Sequence, residues 1–117
     1  MVIKLKSVYD VPTPEDGRRY LVETLWPQEL FTMDLSPCEW VHELSPSYRL
    51  RQRQNEERWS DERFREEYWK ELERKEAGLW VKKILNEAER GVVTLVYSAP
   101  DPSRSSTRLL KEFLESR

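Results

Sequence analysis

Ser98 and Arg104 enclose five residues, Ala99-Pro100-Asp101-Pro102-Ser103, just after a run of apolar residues. A loop of that length could wrap an oxyanion, with a nucleophile at its first position and a planar guanidinium fork at its last. That chemistry needs a thiolate at the strand end, backbone N–H groups that converge on the oxyanion, and an arginine. Only the arginine is present. Ser98 has no histidine near it in sequence to act as base, and an unactivated hydroxyl is a poor nucleophile. Pro100 and Pro102 remove two N–H donors, and no glycine eases the backbone round an anion.

The spacing is that of a cysteine-phosphatase or rhodanese-like loop with serine in place of the nucleophile, so the catalytic residues are unknown. Anion binding without catalysis asks less of the loop. Ser105 or Ser106 can cap the following helix, whose N-terminal N–H groups and dipole favour negative charge, with Asp101 and Arg104 beside it. In the plainer alternative the serine only caps the helix, and Arg104 and Arg108 are solvated or ion-paired.

Other chemistry-bearing residues are more scattered. Asp10, Glu15 and Asp16 follow the first apolar segment, and Glu23 and Thr24 lie at the end of the second. Together they could line one cleft with Trp26, although turn formation also explains Asp10 and Asp16, and Trp26 can simply fill the core. Arg49, Arg51, Arg53 and Arg58, interleaved with Tyr48 and Trp59, have the composition of a phosphate or single-stranded RNA surface. Glu56, Glu57, Asp61 and Glu62 follow at once, and local ion pairing is the simpler account. His42 is the only histidine and Cys38 the only cysteine. A cysteine-built zinc site and an intrachain disulfide are therefore excluded, no metal site is assigned, and no cofactor motif is present.

The elements that must hold these residues follow from periodicity. Val2 to Tyr9 reads as a half-buried first strand, and Tyr20 to Trp26 as a second that stops at Pro27. Ser36-Pro37-Cys38-Glu39 combines an N-cap, a proline at the first helical position and an acid three residues after the cap, which predicts a helix through Leu44. Ser47 can cap a short turn or helix through Leu50. Ser60 opens a longer helix with Phe64, Tyr68, Trp69 and Leu72 on one stripe. Gly78 marks a break, after which Trp80, Val81, Ile84, Leu85 and Ala88 form another apolar face that Gly91 ends in a left-handed conformation. Val92 to Tyr97 is a buried third strand, and Leu109, Leu110, Phe113 and Leu114 lie on the last helix.

The long helical insert between strands two and three makes a parallel crossover natural. The expected fold is a single α/β domain over residues 1–117, with a small, mostly parallel three-stranded sheet, Rossmann-like in plan, covered by about four to five helices. In such sheets ligands sit beyond the C-terminal ends of the strands.

The chain has 117 residues, 20 Lys plus Arg against 22 Asp plus Glu, and a net charge of -2, which argues against a general electrostatic grip on nucleic acid. No segment has the length of a signal peptide's apolar core or of a membrane span, so a cytoplasmic, soluble protein with no membrane partner is expected. The five tryptophans could build a homodimer face.

Val8-Tyr9-Asp10, Asp16-Gly17, Leu25-Trp26-Pro27, Trp40 with Glu43-Leu44, Pro46-Ser47, Leu50-Arg51, Trp59, Phe64 with Tyr68, Val93-Thr94-Leu95 with Tyr97, Asp101 and Leu110-Lys111-Glu112-Phe113-Leu114 resemble the YeaO-like branch of the domain-of-unknown-function family 488. The resemblance covers nearly the whole chain and implies a small, cytosolic α/β protein. It also implies losses. Where that family carries Asp-Arg-Leu-Trp-Pro-Arg-Gly, this chain has Glu23-Thr24-Leu25-Trp26-Pro27-Gln28-Glu29. The family's His-Asp-Pro segment is missing around Asn55, and Ser105-Ser106 replace its Asn-His pair. A longer branch has a cysteine near Ser98. The polar residues left from such a site are Asp10, Glu23, Arg51, Asp101 and Arg104.

The reading is a degenerate or non-catalytic protein that binds a small anionic or polar ligand, or a protein partner, at the strand C-terminal cleft. The ligand-binding candidates are Asp10, Glu23, Trp26, Arg51, Asp101, Arg104, Ser105 and Ser106. One alternative is a hydrolase or transferase acting on a phosphorylated or small polar substrate, with Asp10, Glu23 or Asp101 as acid or base. The other is a homodimer module.

Overall fold

The computed structural model describes residues 1–23, 38–98 and 106–117. Among the described residues four strands form one sheet: β1 (Val2–Ser7), β2 (Arg18–Leu21), β3 (Glu39–Trp40) and β4 (Val92–Tyr97). Their order is β1-β4-β2-β3 and every pairing is parallel. The described α-helices are α1 (Tyr48–Glu57), α2 (Asp61–Leu72), α3 (Lys75–Arg90) and α4 (Ser106–Glu115). Short 3-10 turns span Pro14–Asp16 and His42–Leu44.

The register sorts the strands into two unlike faces. Ile3 lies beside Val93, and Leu5 and Tyr20 lie beside Leu95, so these side chains share one face. Against them pack Leu50 of α1, Phe64, Tyr68 and Leu72 of α2, Val81 and Ile84 of α3, and Leu110 and Phe113 of α4. The helical stripes recur at three- and four-residue intervals, which puts them on one side of each helix. Tyr68 is fully buried and donates its hydroxyl proton to the Leu44 carbonyl, so even the polar atom on this stripe is satisfied. The opposite face carries Lys4, Lys6, Arg19, Leu21, Thr94 and Val96, and its apolar cluster is small: Val8, Leu21 and Val96, with Cys38 against them. Among the described residues no helix contributes to that second cluster.

Ser47 and Ser60 cap α1 and α2 as their positions predict, each accepting a 3.1 Å hydrogen bond from the N–H three residues on. Other elements depart from expectation. The sheet has four strands rather than three, because the segment expected to start a helix at Ser36 supplies β3. Ser36 and Pro37 lie outside the described residues, but Glu39 and Trp40 are extended and pair with Tyr20 and Leu21. The N–H of Val41 then donates to the Leu21 carbonyl at 2.9 Å. A capping box contributes about 1 kcal/mol, and an open parallel edge offering backbone partners outweighs it.

Helix α1 runs on to Glu57 instead of stopping at Leu50, and ends at Arg58, which is left-handed at φ 51°. Gly78 does not break a helix; it lies inside α3, its N–H donating to the Arg74 carbonyl at 2.7 Å, and the break falls at Glu73-Arg74. A mid-helix glycine costs roughly 1 kcal/mol, less than the buried stripe of Ala77, Val81, Ile84 and Ala88 supplies. Gly91 is extended rather than left-handed, at φ −179°. Gly17 is the glycine the fold requires: its φ is +63°, and a Cβ there would lie 2.0 Å from the Val92 carbonyl oxygen.

Candidate functional site

Since the strands run in one direction, Ser7, Leu21, Trp40 and Tyr97 end at the same edge of the sheet. Two residues past β2, Glu23 reaches the end of β4, where one carboxylate oxygen accepts from both the N–H (2.9 Å) and the hydroxyl (2.7 Å) of Ser98. The Glu23 carbonyl accepts from the indole N–H of Trp40 at 2.8 Å. Glu23 thus ties together the ends of three strands. Ser98, at the position where a nucleophile would stand, is fixed by a carboxylate oxygen that is already occupied by a backbone N–H. A carboxylate is in any case a weak base toward an aliphatic hydroxyl, so this pair positions the chain better than it activates an oxygen.

Arg51 comes from α1, yet its guanidinium Nη2 reaches Ser106 Oγ in the first turn of α4, 3.3 Å away. Its Nε is buried with no hydrogen-bond partner. The N-terminal end of a helix carries about half a positive charge, so this corner gathers positive potential from two elements distant in sequence. Asp10 is not drawn into it. Its carboxylate accepts from the Ser7 N–H at 2.9 Å in a local turn, the residue is exposed, and among the described contacts nothing joins it to Glu23 or Arg51. The structure therefore brings Glu23 to the strand edge and Arg51 to Ser106, and leaves Asp10 as a turn residue. Trp26, Asp101, Arg104 and Ser105 lie outside the described residues.

The basic run on α1 divides. Arg53 bonds Glu57 at 3.1 Å and stacks over Trp59, with Arg63 also 4.9 Å from that ring. Arg51 turns inward and Arg49 stays exposed. His42 is exposed, 2.7 Å from a Glu43 carboxylate oxygen and edge-on to Trp40. Trp59, Trp69 and Trp80 pack against the core. Among the described residues, no group of three His, Cys, Asp or Glu could hold a metal ion, and no helix is long and apolar enough to cross a membrane.

Sequence reasoning passed over a polar cluster on the second face of the sheet. Asp16, 2% exposed, sits 3.0 Å from Lys6 and 3.6 Å from Arg19, and accepts from the N–H and hydroxyl of Thr13, each at 3.1 Å. Burial alone would raise its pKa, but the hydrogen bonds from Thr13 and Lys6 and the Lys6 charge outweigh it and hold the carboxyl below the ordinary 3.8. Parallel strands buried on both faces read as continuous apolar runs, so Lys4, Lys6 and Arg19 inside strands were the available signal for this polar face. A second missed group lies beside β2. Tyr20 donates to Glu87, which also holds Arg18 at 2.8 Å, and burial with the Glu87 contact pushes the phenol up to about 12. Glu71 likewise binds Ser47 through both oxygens, at 3.0 Å to the N–H and 2.6 Å to the hydroxyl, and so locks the start of α1 onto α2.

Comparison with known proteins agrees with this depleted chemistry. The profile described as "Inactive DUF488-N3 subclade" matches residues 2–117. The chain is 35% identical to the uncharacterized protein YeaO of Escherichia coli, over 99% of each chain. It is 28% identical to uncharacterized proteins of Mycobacterium bovis and Mycobacterium tuberculosis, over 98% of this chain and 95% of theirs. No solved structure matches.

Proposed function

The chain belongs to the inactive DUF488-N3 subclade, and from that membership we propose that it is a non-catalytic protein that binds a small anion where Arg51 meets the N-terminus of α4. The observation that carries this reading is the Arg51 side chain itself. A cation beside the positive end of a helix is disfavoured by about 0.3–1 kcal/mol. The buried Arg51 Nε–H adds the cost of an unmet donor. A phosphate-like or carboxylate ligand would relieve both at once, accepting from the guanidinium and placing negative charge at the positive end of the helix. The absence of catalysis is supported by Ser98, whose hydroxyl is committed to Glu23.

Thermal shift against phosphate and sulfate, at ionic strength matched with sodium chloride, tests the reading. A saturable rise in Tm is expected, and it should vanish in Arg51→Gln. Without ligand, that variant should be as stable as the parent or more stable by roughly 0.3–1 kcal/mol. Equal shifts in the two proteins, or none beyond the chloride control, would count against the proposal. Turnover of a phosphate ester that Glu23→Gln abolishes would replace it with the hydrolase reading.

A further inference from the structure

A second positively charged place lies away from the strand edge. Between α1 and α2 runs a cavity of about 410 Å³, in the range that small ligands occupy. Arg49 and Arg53 of α1 line one side, Lys70 at the end of α2 and Arg74 at the start of α3 the other, with Glu67 and Glu71 between them. Four cations against two carboxylates leave an excess of two positive charges. The carboxylates are engaged already: Glu71 holds Ser47 with both oxygens, and Glu67 lies 3.3 Å from both Arg63 and Lys70. Arg53 is held by Glu57 and the Trp59 ring. Arg49 and Arg74 are exposed, and among the described residues neither guanidinium makes an ion pair. Two open planar forks therefore border one cavity from different elements.

We infer that this groove is a binding site for a small phosphate monoester in its dianionic form, held between the guanidinium groups of Arg49 and Arg74. The charge excess of two matches a phosphate dianion, and paired guanidinium forks suit its several acceptor oxygens. The second ionisation of a phosphate monoester lies near pH 6, so binding strengthens as pH rises through about that value. The site shares no residue with the Arg51 corner, and either can fail alone.

Calorimetric titration of the full chain with phenyl phosphate, at about pH 7.5 and roughly 0.15 M salt, is the test. Saturable binding is expected, with Arg49→Gln and Arg74→Gln each weakening it about tenfold or more. Arg51→Gln should leave it unchanged. Because Arg49 and Arg74 are exposed, both variants should keep the parent Tm, which separates lost binding from lost fold. Phenyl sulfate, a monoanion of similar shape, should bind markedly less well. The inference is overturned by absence of saturable binding, by equal binding of the sulfate, or by loss of binding in Arg51→Gln alone. It is also overturned if a single-stranded oligonucleotide occupies the groove and phenyl phosphate cannot displace it.

Discussion

On one face of the sheet Ile3, Tyr20, Val93 and Leu95 meet four helices through apolar contact, while on the other Lys6 and Arg19 flank the buried carboxylate of Asp16 and Thr94 bonds its backbone carbonyl. Apolar burial is non-directional and tolerates small shifts, whereas the Asp16 cluster works only with every donor in place. The first face supplies most of the stability. The second fixes how the 3-10 turn at Pro14–Asp16 enters β2, because the Thr94 hydroxyl donates to the Asp16 carbonyl at 2.7 Å from the centre of β4.

The contrast can be broken most severely at Gly17, which joins the polar cluster to β2. Gly17→Ala places a methyl group 2.0 Å from the Val92 carbonyl oxygen and forces an alanine to φ +63°, so a loss of about 4 kcal/mol or failure to fold is expected in urea denaturation. On the apolar face, Leu95→Ala should cost roughly 2–5 kcal/mol by the same measurement, nearly independent of pH.

Asp16→Asn sharpens the comparison because its effect depends on pH. The folded pKa of Asp16 is below its unfolded value, so its contribution is complete above the ordinary 3.8 and is lost as pH falls through the folded value. The variant should lose about 2–3 kcal/mol near neutrality, since it removes the carboxylate that Lys6 and Arg19 flank at a site 2% exposed. It should also show a shallower acid limb than the parent. An identical acid limb in the two proteins would mean that Asp16 does not distinguish the faces. The smallest change is Thr94→Val, nearly isosteric but without the proton donated to the Asp16 carbonyl, which should cost about 1 kcal/mol.

Legibility followed the same division. The stripes of α2 and α4, the serine caps and the buried run Val92–Tyr97 can be read directly, because each rests on neighbours within a few residues. Strand β3 could not be read, since its two residues carry a helix-start pattern and become extended only through the free edge of β2. Gly78 misleads for a related reason: its local cost is outweighed by a stripe that becomes valuable only when buried.

The site divides likewise. Glu23 and Arg51 were identifiable as candidates from their types and positions, but Glu23 gripping Ser98, 75 residues away, and Arg51 reaching Ser106, 55 residues away, are products of folding.

The order of residues by itself determined an α/β chain with a strand-to-helix corner lacking a nucleophile, because periodicity, capping and side-chain chemistry are local properties. Only the tertiary structure decided that the sheet has four parallel strands, that one of its faces is polar, and that Arg51 stands at a helix N-terminus. Those outcomes depend on backbone pairing and on charges brought together across long stretches of chain, where the balance between burial cost and partner geometry is settled only in the folded state.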